Sequence, residues 1–580
     1  MTETIDIDSL CTAVTSACRI NIAEDEDTNL VVPDCERNPA PAIRPVTQDN
    51  NDHLLYPLLV GNYYNHQKEV ASWMRVQEKK GPNGFRGGII SLTMGLGKTL
   101  LALGYALRHY RNTPTLIVVP KSVLVEWKTN GVDKFFGNDQ DIKIIFFHKD
   151  LNKNIETIRL EDVANCQLVI TTYSMCAQAC LLGRYHLPIE ERGGGKLFPR
   201  RRGIGLLYNV FWNRIIFDES HKACNPTTKT FAYMMTLSGK YKWCMSGTPI
   251  VNYDTDIWAQ LRLCGYDAIN TLREWKAQKN IVFNDKLRQS VFVMDYTQAV
   301  HVTLPPLHNH EVIFELKGEF RELYDELRGE VKKSLNELSE QPKAPVYAHM
   351  FAMLTRLRQC VIAPYIISPS AKRRPVRPSI RQSENEEGGG GVADLGRFLT
   401  LDKRAYGIHA PKLMKTVEIL RDTLGAKTVV FSMFASALDL LRECIETNLG
   451  VKVVQIDGGV KDKPSVVQRF KTSPDVNILL ATYKVGCEGL NITEATNCIL
   501  LEPWWNNATL NQAKSRLWRT GQKLPVHVYN LIVKDTVEDK IRDICTRKDE
   551  LIDSYLSNEA TPTKQKKVVL SKKVLRQLLN

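Results

Sequence analysis

Two series of short, continuous apolar runs constrain this chain more than any other feature. The first holds TLIVVP (115–120), IKIIFF (142–147), QLVITTY (167–173) and NRIIFDE (213–219). The second holds KTVVFS (427–432), VKVVQID (451–457), VNILLAT (476–482), TNCILLE (496–502) and VHVYNLI (526–532). The runs are rich in β-branched residues and are separated by stretches of helical character. A strand that is apolar throughout is buried on both faces, the pattern of a parallel sheet with helices packed on each side. The chain therefore reads as two α/β blocks, over residues 53–266 and 411–550. Residues 267–410 between them look mainly helical, LKGEFRELYDELRGEVKKSLNEL (316–338) most strongly. A length of 580 residues exceeds what one core usually serves, in keeping with several domain-sized units.

The flanks differ from the body. Residues 1–52 hold eleven acidic and three basic residues, a balance of −8 that leaves +21 on the remainder of a chain whose net charge is +13. The arm is expected to lack fixed structure, and a basic body attracts polyanions, nucleic acid first among them. A solvated lysine face accounts for the charge about as well. ERGGGKLFPRRRG (191–203) reads as a loop, AKRRPVRPSIRQSENEEGGGG (371–391) as a flexible linker, and residues 551–580 as a basic tail. KRRPVR (372–377) suits a nuclear-import signal or a solvated linker equally. No run reaches the length of a membrane span, and the acidic start does not resemble a secretion signal. The 14 cysteines form no CxxC pair, so they read as reduced thiols of a nuclear or cytoplasmic protein rather than metal ligands.

MGLGKT (94–99) follows the apolar GGIISL and precedes the helical LLALGYALRHY. Strand, glycine-rich turn and helix form the context of a phosphate-binding loop. In that role Gly95 and Gly97 let backbone N–H groups face the phosphates, Lys98 reaches the outer phosphates, and Thr99 ligates Mg²⁺. Leu92, Thr93, Met94 and Leu96 complete the loop, although the full pattern asks for glycine where Leu92 stands. IIFDESH (215–221) then ends an apolar strand on Asp218 and Glu219. An aspartate there suits the oxygen shell of Mg²⁺, and the neighbouring glutamate can orient and deprotonate an attacking water. A GKT alone, or a pair of acids alone, is commonplace; the two in this order are not.

The ordered set of motifs resembles superfamily 2 helicase-like proteins and, within them, the SNF2 family. DESH (218–221) is similar to the DEAH-type box, with Ser220 in the alanine position. WCMSGTPIVN (243–252) resembles the third motif, and TLIVVPKSVLVEWK (115–128) and VITTYS (169–174) resemble family segments of the first block. VVFSMFASALDLL (429–441), ATYKVGCEGLNI (481–492) and NQAKSRLWRTGQ (511–522) resemble motifs IV, V and VI, and LRQCVIAP (357–364) the helical connector. The resemblance covers about residues 54–550.

It implies two RecA-like parallel-sheet lobes with a helical connector, in a compact form without accessory domains, using ATP and Mg²⁺. Lys98, Asp218, Glu219, Gln512, Arg516 and Arg519 take the catalytic positions, with Thr99 and Asp218 as the metal ligands. Gln67, in NHQKEV, matches the glutamine that recognises adenine. His221 matches the residue that couples the nucleotide site to Ser246, Gly247 and Thr248. Arg516 and Arg519 match arginines that meet the γ-phosphate from the second lobe, and helical spacing puts Gln512 on the face of Arg516. Pro120, Lys121, Ser122, Thr171, Thr172, Ser432 and Thr482 fall in motifs that touch the phosphodiester backbone. The implied activity is ATP-driven movement along double-stranded DNA, remodelling or displacing bound proteins such as nucleosomes, with no membrane partner.

Three departures bear on efficiency. Acidic residues usual before the loop are replaced by Leu92 and Thr93, a motif V glycine by Cys487, and the family's Asn-Pro by Asn506-Asn507. Two alternatives stay open: a strand-separating helicase of the same superfamily, and a catalytically weak DNA-binding scaffold. Intact Lys98, Asp218, Glu219, Arg516 and Arg519 weigh against the scaffold.

Overall fold

Every run of both series becomes a strand of a parallel sheet. The computed structural model describes residues 54–556 apart from 82–84, 111, 138, 140, 185–203, 251–254, 268, 270, 278–288, 295–303, 339–344, 369–397, 399, 461, 487–489 and 506. The acidic arm, the loop at 191–203, the linker at 371–391, Cys487, Asn506 and the tail beyond Leu556 lie outside the described residues.

The chain divides into two compact units, one ending at Val302 and the other beginning at Thr303. In the first, β1 (Gly87–Leu92), β2 (Thr115–Val119), β3 (Ile144–Phe147), β4 (Leu168–Thr172), β5 (Trp212–Asp218), β6 (Gly239–Ser246) and β7 (Val291–Met294) form a seven-stranded sheet. Its order is β3-β4-β2-β5-β6-β1-β7, and every pairing is parallel. Parallel neighbours need crossover connections, of which helix Lys98–Arg108 is one; it shares a core with helix Asn65–Lys80, which precedes β1. Ile90, Ile117, Ile170 and Ile216 from the sheet pack with Val70, Leu101 and Tyr105 from those helices in one core.

The second unit repeats the architecture. β8 (Leu307–Phe314), β9 (Thr428–Ser432), β10 (Val453–Ile456), β11 (Ile478–Thr482), β12 (Asn497–Leu500) and β13 (Val526–Val533) form a six-stranded sheet in the order β10-β11-β9-β12-β13-β8. All its pairings are parallel. Alternate residues feed two cores, Val430 and Leu480 on one face, Val429, Phe431 and Leu479 on the other.

Residues 267–410 are helical only in part. Val291–Met294 is the edge strand of the first sheet, and Leu307–Phe314 is the edge strand of the second. Neither carries the sequence mark of a buried parallel strand. β7 is four residues long, and β8 is a half-wet edge whose residues LHNHEVIF mix polar with apolar. The remainder is helical as expected: Glu319–Leu338 and Pro345–Ile362 pack around Leu323, Tyr324, Leu357 and Val361. The same core holds Val537 and Ile541 of helix Val537–Leu556, which runs past the boundary expected at 550. No described helix is long and apolar enough to cross a membrane.

Candidate active site

Strand register gathers the chemistry of the first unit on one rim. Ser91 of β1 lies beside Ser246 of β6, and Met245 of β6 beside Asp218 of β5. The 93–97 loop, Asp218 and Gly247 therefore leave the sheet together at its carboxyl edge, where open α/β sheets hold ligands. Gly97 adopts φ 76° as it enters helix Lys98–Arg108, a left-handed conformation that favours glycine. A Cβ there would also stand 2.3 Å from Gln67 Nε2. The helix start offers backbone N–H groups and a positive dipole end to an anion. Lys98 is buried, and its Nζ donates to Leu92 O at 2.9 Å, which leaves two further protons for phosphate oxygens.

Gln67 binds the loop itself. Its Nε2 donates to Gly97 O at 3.2 Å, and its Oε1 accepts from Tyr64 N at 3.0 Å. The neighbouring His66 joins Leu96 O at 2.9 Å. Helix Asn65–Lys80 thus holds two consecutive loop carbonyls, and each atom of the Gln67 amide keeps capacity for one more hydrogen bond. His66 was not singled out from sequence; its place beside Gln67 was the available signal.

Asp218 is buried at the end of β5, where Trp127 Nε1 donates to its Oδ2 at 3.0 Å and Tyr173 OH to its carbonyl at 2.8 Å. Burial and the adjacent Glu219 push its carboxyl up to about 7, against the pull of Lys98 and the Trp127 hydrogen bond. A cation beside it would restore the charged form, and the hard oxygens of Asp218 and Thr99 suit Mg²⁺. A Cβ on Gly247 would lie 3.3 Å from Lys98 Nζ, so the third motif abuts the same loop. Glu219 stands at φ 47°, ψ 50°, a strained conformation for a non-glycine residue and one that clusters at functional sites. His221 Nδ1 lies 3.3 Å from Glu219 Oε2 and 2.9 Å from Ser246 Oγ, which in turn accepts from Thr248 N at 3.1 Å. The expected link from His221 to Ser246 and Thr248 is thus a chain of contacts. Ser220 also has a partner: its hydroxyl donates to Gln260 Oε1 at 2.7 Å, and Gln260 Nε2 donates to Pro249 O at 2.5 Å.

In the second unit, helix Asn507–Lys514 carries Gln512 but ends before the two arginines. Arg516 and Arg519 stand in the turns that follow, so the helical-face argument pairing Gln512 with Arg516 does not apply. Ser515 Oγ bonds back to Gln512 O at 2.8 Å, and Arg516 O accepts from Ile492 N at 3.0 Å, fixing the turn. Arg516 Nε is buried without a hydrogen-bond partner among the described residues.

The residues expected to touch DNA separate into two groups. Lys121 is exposed and Ser122 half-buried just after β2, Lys121 pairing with Asp150 at 3.2 Å, while Pro120 before them is buried. Thr171, Thr172, Ser432 and Thr482 are buried. Thr171 Oγ1 donates to Phe147 O at 2.9 Å, and Thr172 Oγ1 meets Ser174 Oγ at 3.0 Å and Met175 N at 3.3 Å. Ser432 Oγ donates to both oxygens of Glu502, at 3.1 and 3.2 Å. The hydroxyls of Thr171, Thr172 and Ser432 thus bond within the fold, at the carboxyl ends of their strands.

Glu502 belongs to a buried charged group that the motifs did not announce. Arg358 donates from Nη2 to Pro503 O at 2.9 Å and stacks on Trp504 at 4.9 Å, while Lys412 and Glu538 form an ion pair fully shielded from solvent.

Residues 66–366 match the SNF2-related domain, and residues 411–521 match the helicase conserved C-terminal domain. Putative helicase 172L of Invertebrate iridescent virus 6 is 39% identical over 578 residues, covering 88% of this chain and 93% of that protein. DNA repair protein RAD5B of Arabidopsis thaliana is 24% identical over 82% of this chain and 46% of its own length. Transcription termination factor 2 of Drosophila melanogaster is also 24% identical, over 86% and 57%. The chain thus spans about half the length of these two cellular relatives. Among solved structures, the Sulfolobus solfataricus SWI2/SNF2 ATPase core in complex with dsDNA is 24% identical over 86% of this chain and 94% of that one, with a TM-score of 0.37. The match to the SNF2-related domain over more than half of the chain, with the viral relative matched along nearly its whole length, places the family: this chain belongs to the SNF2 family of helicase-like ATPases.

Proposed function

We propose that the chain hydrolyses ATP, with Mg²⁺, to move along double-stranded DNA and so remodel or displace proteins bound to it. The observation that carries the reading is the single rim on which Lys98, Asp218, Glu219 and the Ser246–Thr248 segment meet. In this reading the helix N-terminus and Lys98 hold the phosphates, and Gln67 adds an adenine contact to its grip on Gly97. Thr99 and Asp218 hold Mg²⁺, which when bound offsets charge on the phosphate oxygens. Glu219 orients the attacking water and accepts its proton as the terminal phosphoryl group leaves as phosphate. Arg516 and Arg519 supply the guanidinium charge that the transition state needs. Lys121 and Ser122, at the loop after β2, are the side chains best exposed for phosphodiester contact.

Steady-state hydrolysis measured with equal nucleotide lengths of duplex and single-stranded DNA tests the proposal. Duplex should stimulate turnover several-fold more than single strands, and binding should weaken steeply with salt, since phosphates carry the contacts. Equal stimulation by single strands would favour the strand-separating alternative. No hydrolysis with any nucleic acid would favour the scaffold.

A further inference from the structure

The segment from Pro120 to Phe136 changes helical register along its length. Lys121–Val123 is a 3-10 turn, Leu124–Glu126 is α-helical, Trp127–Asp133 is π-helical, and Lys134–Phe136 returns to α. A π-helix is rare and tends to occur as a single wide turn at functional sites. Here it spans seven residues, and the Lys128–Asp133 ion pair at 2.7 Å bridges the same five-residue spacing.

Its inner face meets the catalytic rim twice. Trp127 is 2% exposed, and its indole N–H is bonded to Asp218 Oδ2 at 3.0 Å. Four residues on, Gly131 is buried so close to helix Lys98–Arg108 that a Cβ there would lie 3.2 Å from Thr99 Cγ2 and 3.1 Å from Leu103 Cδ1. One segment therefore touches both residues read as metal ligands, although these come from different elements, the end of β5 and the helix after the loop. An α-helical core segment needs only to fill space. This one directs a polar N–H at one carboxylate oxygen and sets a glycine against the side chain of the threonine.

We propose that Trp127–Asp133 is a positioning strap for the Mg²⁺ site, with Trp127 fixing the Asp218 carboxylate and Gly131 setting the approach of Thr99. The inference rests on the reading of Thr99 and Asp218 as the ligands. In this role Trp127 and Gly131 act through those two residues. Outer partners of metal ligands typically contribute about 10–100-fold in metal affinity.

The test is a Mg²⁺ titration of the binding of a fluorescent, non-hydrolysable ATP analogue to the full chain, a readout independent of turnover. Trp127→Phe keeps an aromatic ring and removes the N–H. Its Mg²⁺ midpoint should rise about 10-fold, with analogue binding in EDTA unchanged. Gly131→Ala should raise the midpoint in the same way, and it decides the matter alone should Trp127→Phe fail to fold. Trp243→Phe is the matched control: it also loses a buried indole bond to a carboxylate, at 3.2 Å from Glu78 Oε1, and should titrate as wild type. Folded variants of Trp127 and Gly131 with the wild-type midpoint overturn the strap while leaving the ligands in place. A wild-type protein whose analogue binding ignores Mg²⁺ overturns the ligand reading and the strap with it.

Discussion

Replacing Lys412 by methionine asks what the buried charges of the second unit are worth. Lys412 and Glu538 are both fully shielded, and Lys412 Nζ donates to both carboxylate oxygens. Burial pulls the ammonium down from its ordinary pKa, while Glu538 and then Glu502 hold it up. Lys412→Met keeps the aliphatic volume but leaves the Glu538 carboxylate with one neutral donor, Val533 N at 3.1 Å. Stranding a buried charge in this way costs about 3–5 kcal/mol. For a unit of this size each kcal/mol moves the melting midpoint roughly 2–4 °C, so a drop of roughly 6–20 °C is expected. Adding Glu538→Gln should recover most of the loss, because the amide needs no counter-charge and still offers Val533 N an acceptor. The assay is thermal unfolding followed by tryptophan fluorescence and circular dichroism, with the second unit analysed as its own transition. A double variant less stable than Lys412→Met alone would refute the reasoning, since the pair would then be contributing packing and not charge compensation.

Two further outcomes follow from the sites. Lys98→Ala should weaken nucleotide binding as well as hydrolysis, whereas Arg519→Ala should keep nucleotide affinity and lose DNA-stimulated turnover by on the order of 10³-fold or more. Arg519→Lys should not restore it, because a point charge lacks the planar fork; titration of nucleotide beside steady-state rates checks both. Burial pushes the Glu502 carboxyl up to about 7, against the pull of Arg358 and the Met433 N–H. A carboxyl raised above its unfolded value contributes stability at low pH that is lost as pH rises through its folded value. The urea midpoint of the second unit should therefore fall between about pH 4.5 and 7, and Glu502→Gln should flatten that slope.

What the sequence made legible was chemistry carried by neighbouring residues. The 93–99 loop, the Asp218–Glu219 pair and the Ser246–Thr248 turn are each short and follow a strand whose apolar run is unmistakable, so composition and order locate them. The edge strands were hidden because an edge need not be apolar on both faces: His308, Asn309 and His310 of β8 fall in a stretch that looks mainly helical in sequence, and it is the pairing with β13 that makes them a strand. Side-chain direction was hidden for a different reason. Thr171 and Thr172 sit in a motif associated with phosphate contact, but their strand is interior to the sheet, and the neighbouring Phe147 carbonyl takes the Thr171 hydroxyl.

The same distinction explains why the strap and the buried charges escaped notice. Trp127 and Asp218 are 91 residues apart, and Lys412 and Glu538 are 126 apart. No periodicity connects such partners; only the sheet order, which sets β2 beside β5, brings the chain after β2 over the end of β5. Trp127 did carry one local sign, since a buried indole usually finds an acceptor for its N–H. That rule says an acceptor exists without saying which, and the fold supplies the answer. Because the acceptor is the carboxylate already singled out by its own motif, the bond to Trp127 does more than satisfy a donor. In the proposed reading it would also orient one of the two groups, Asp218 and Thr99, taken as the Mg²⁺ ligands.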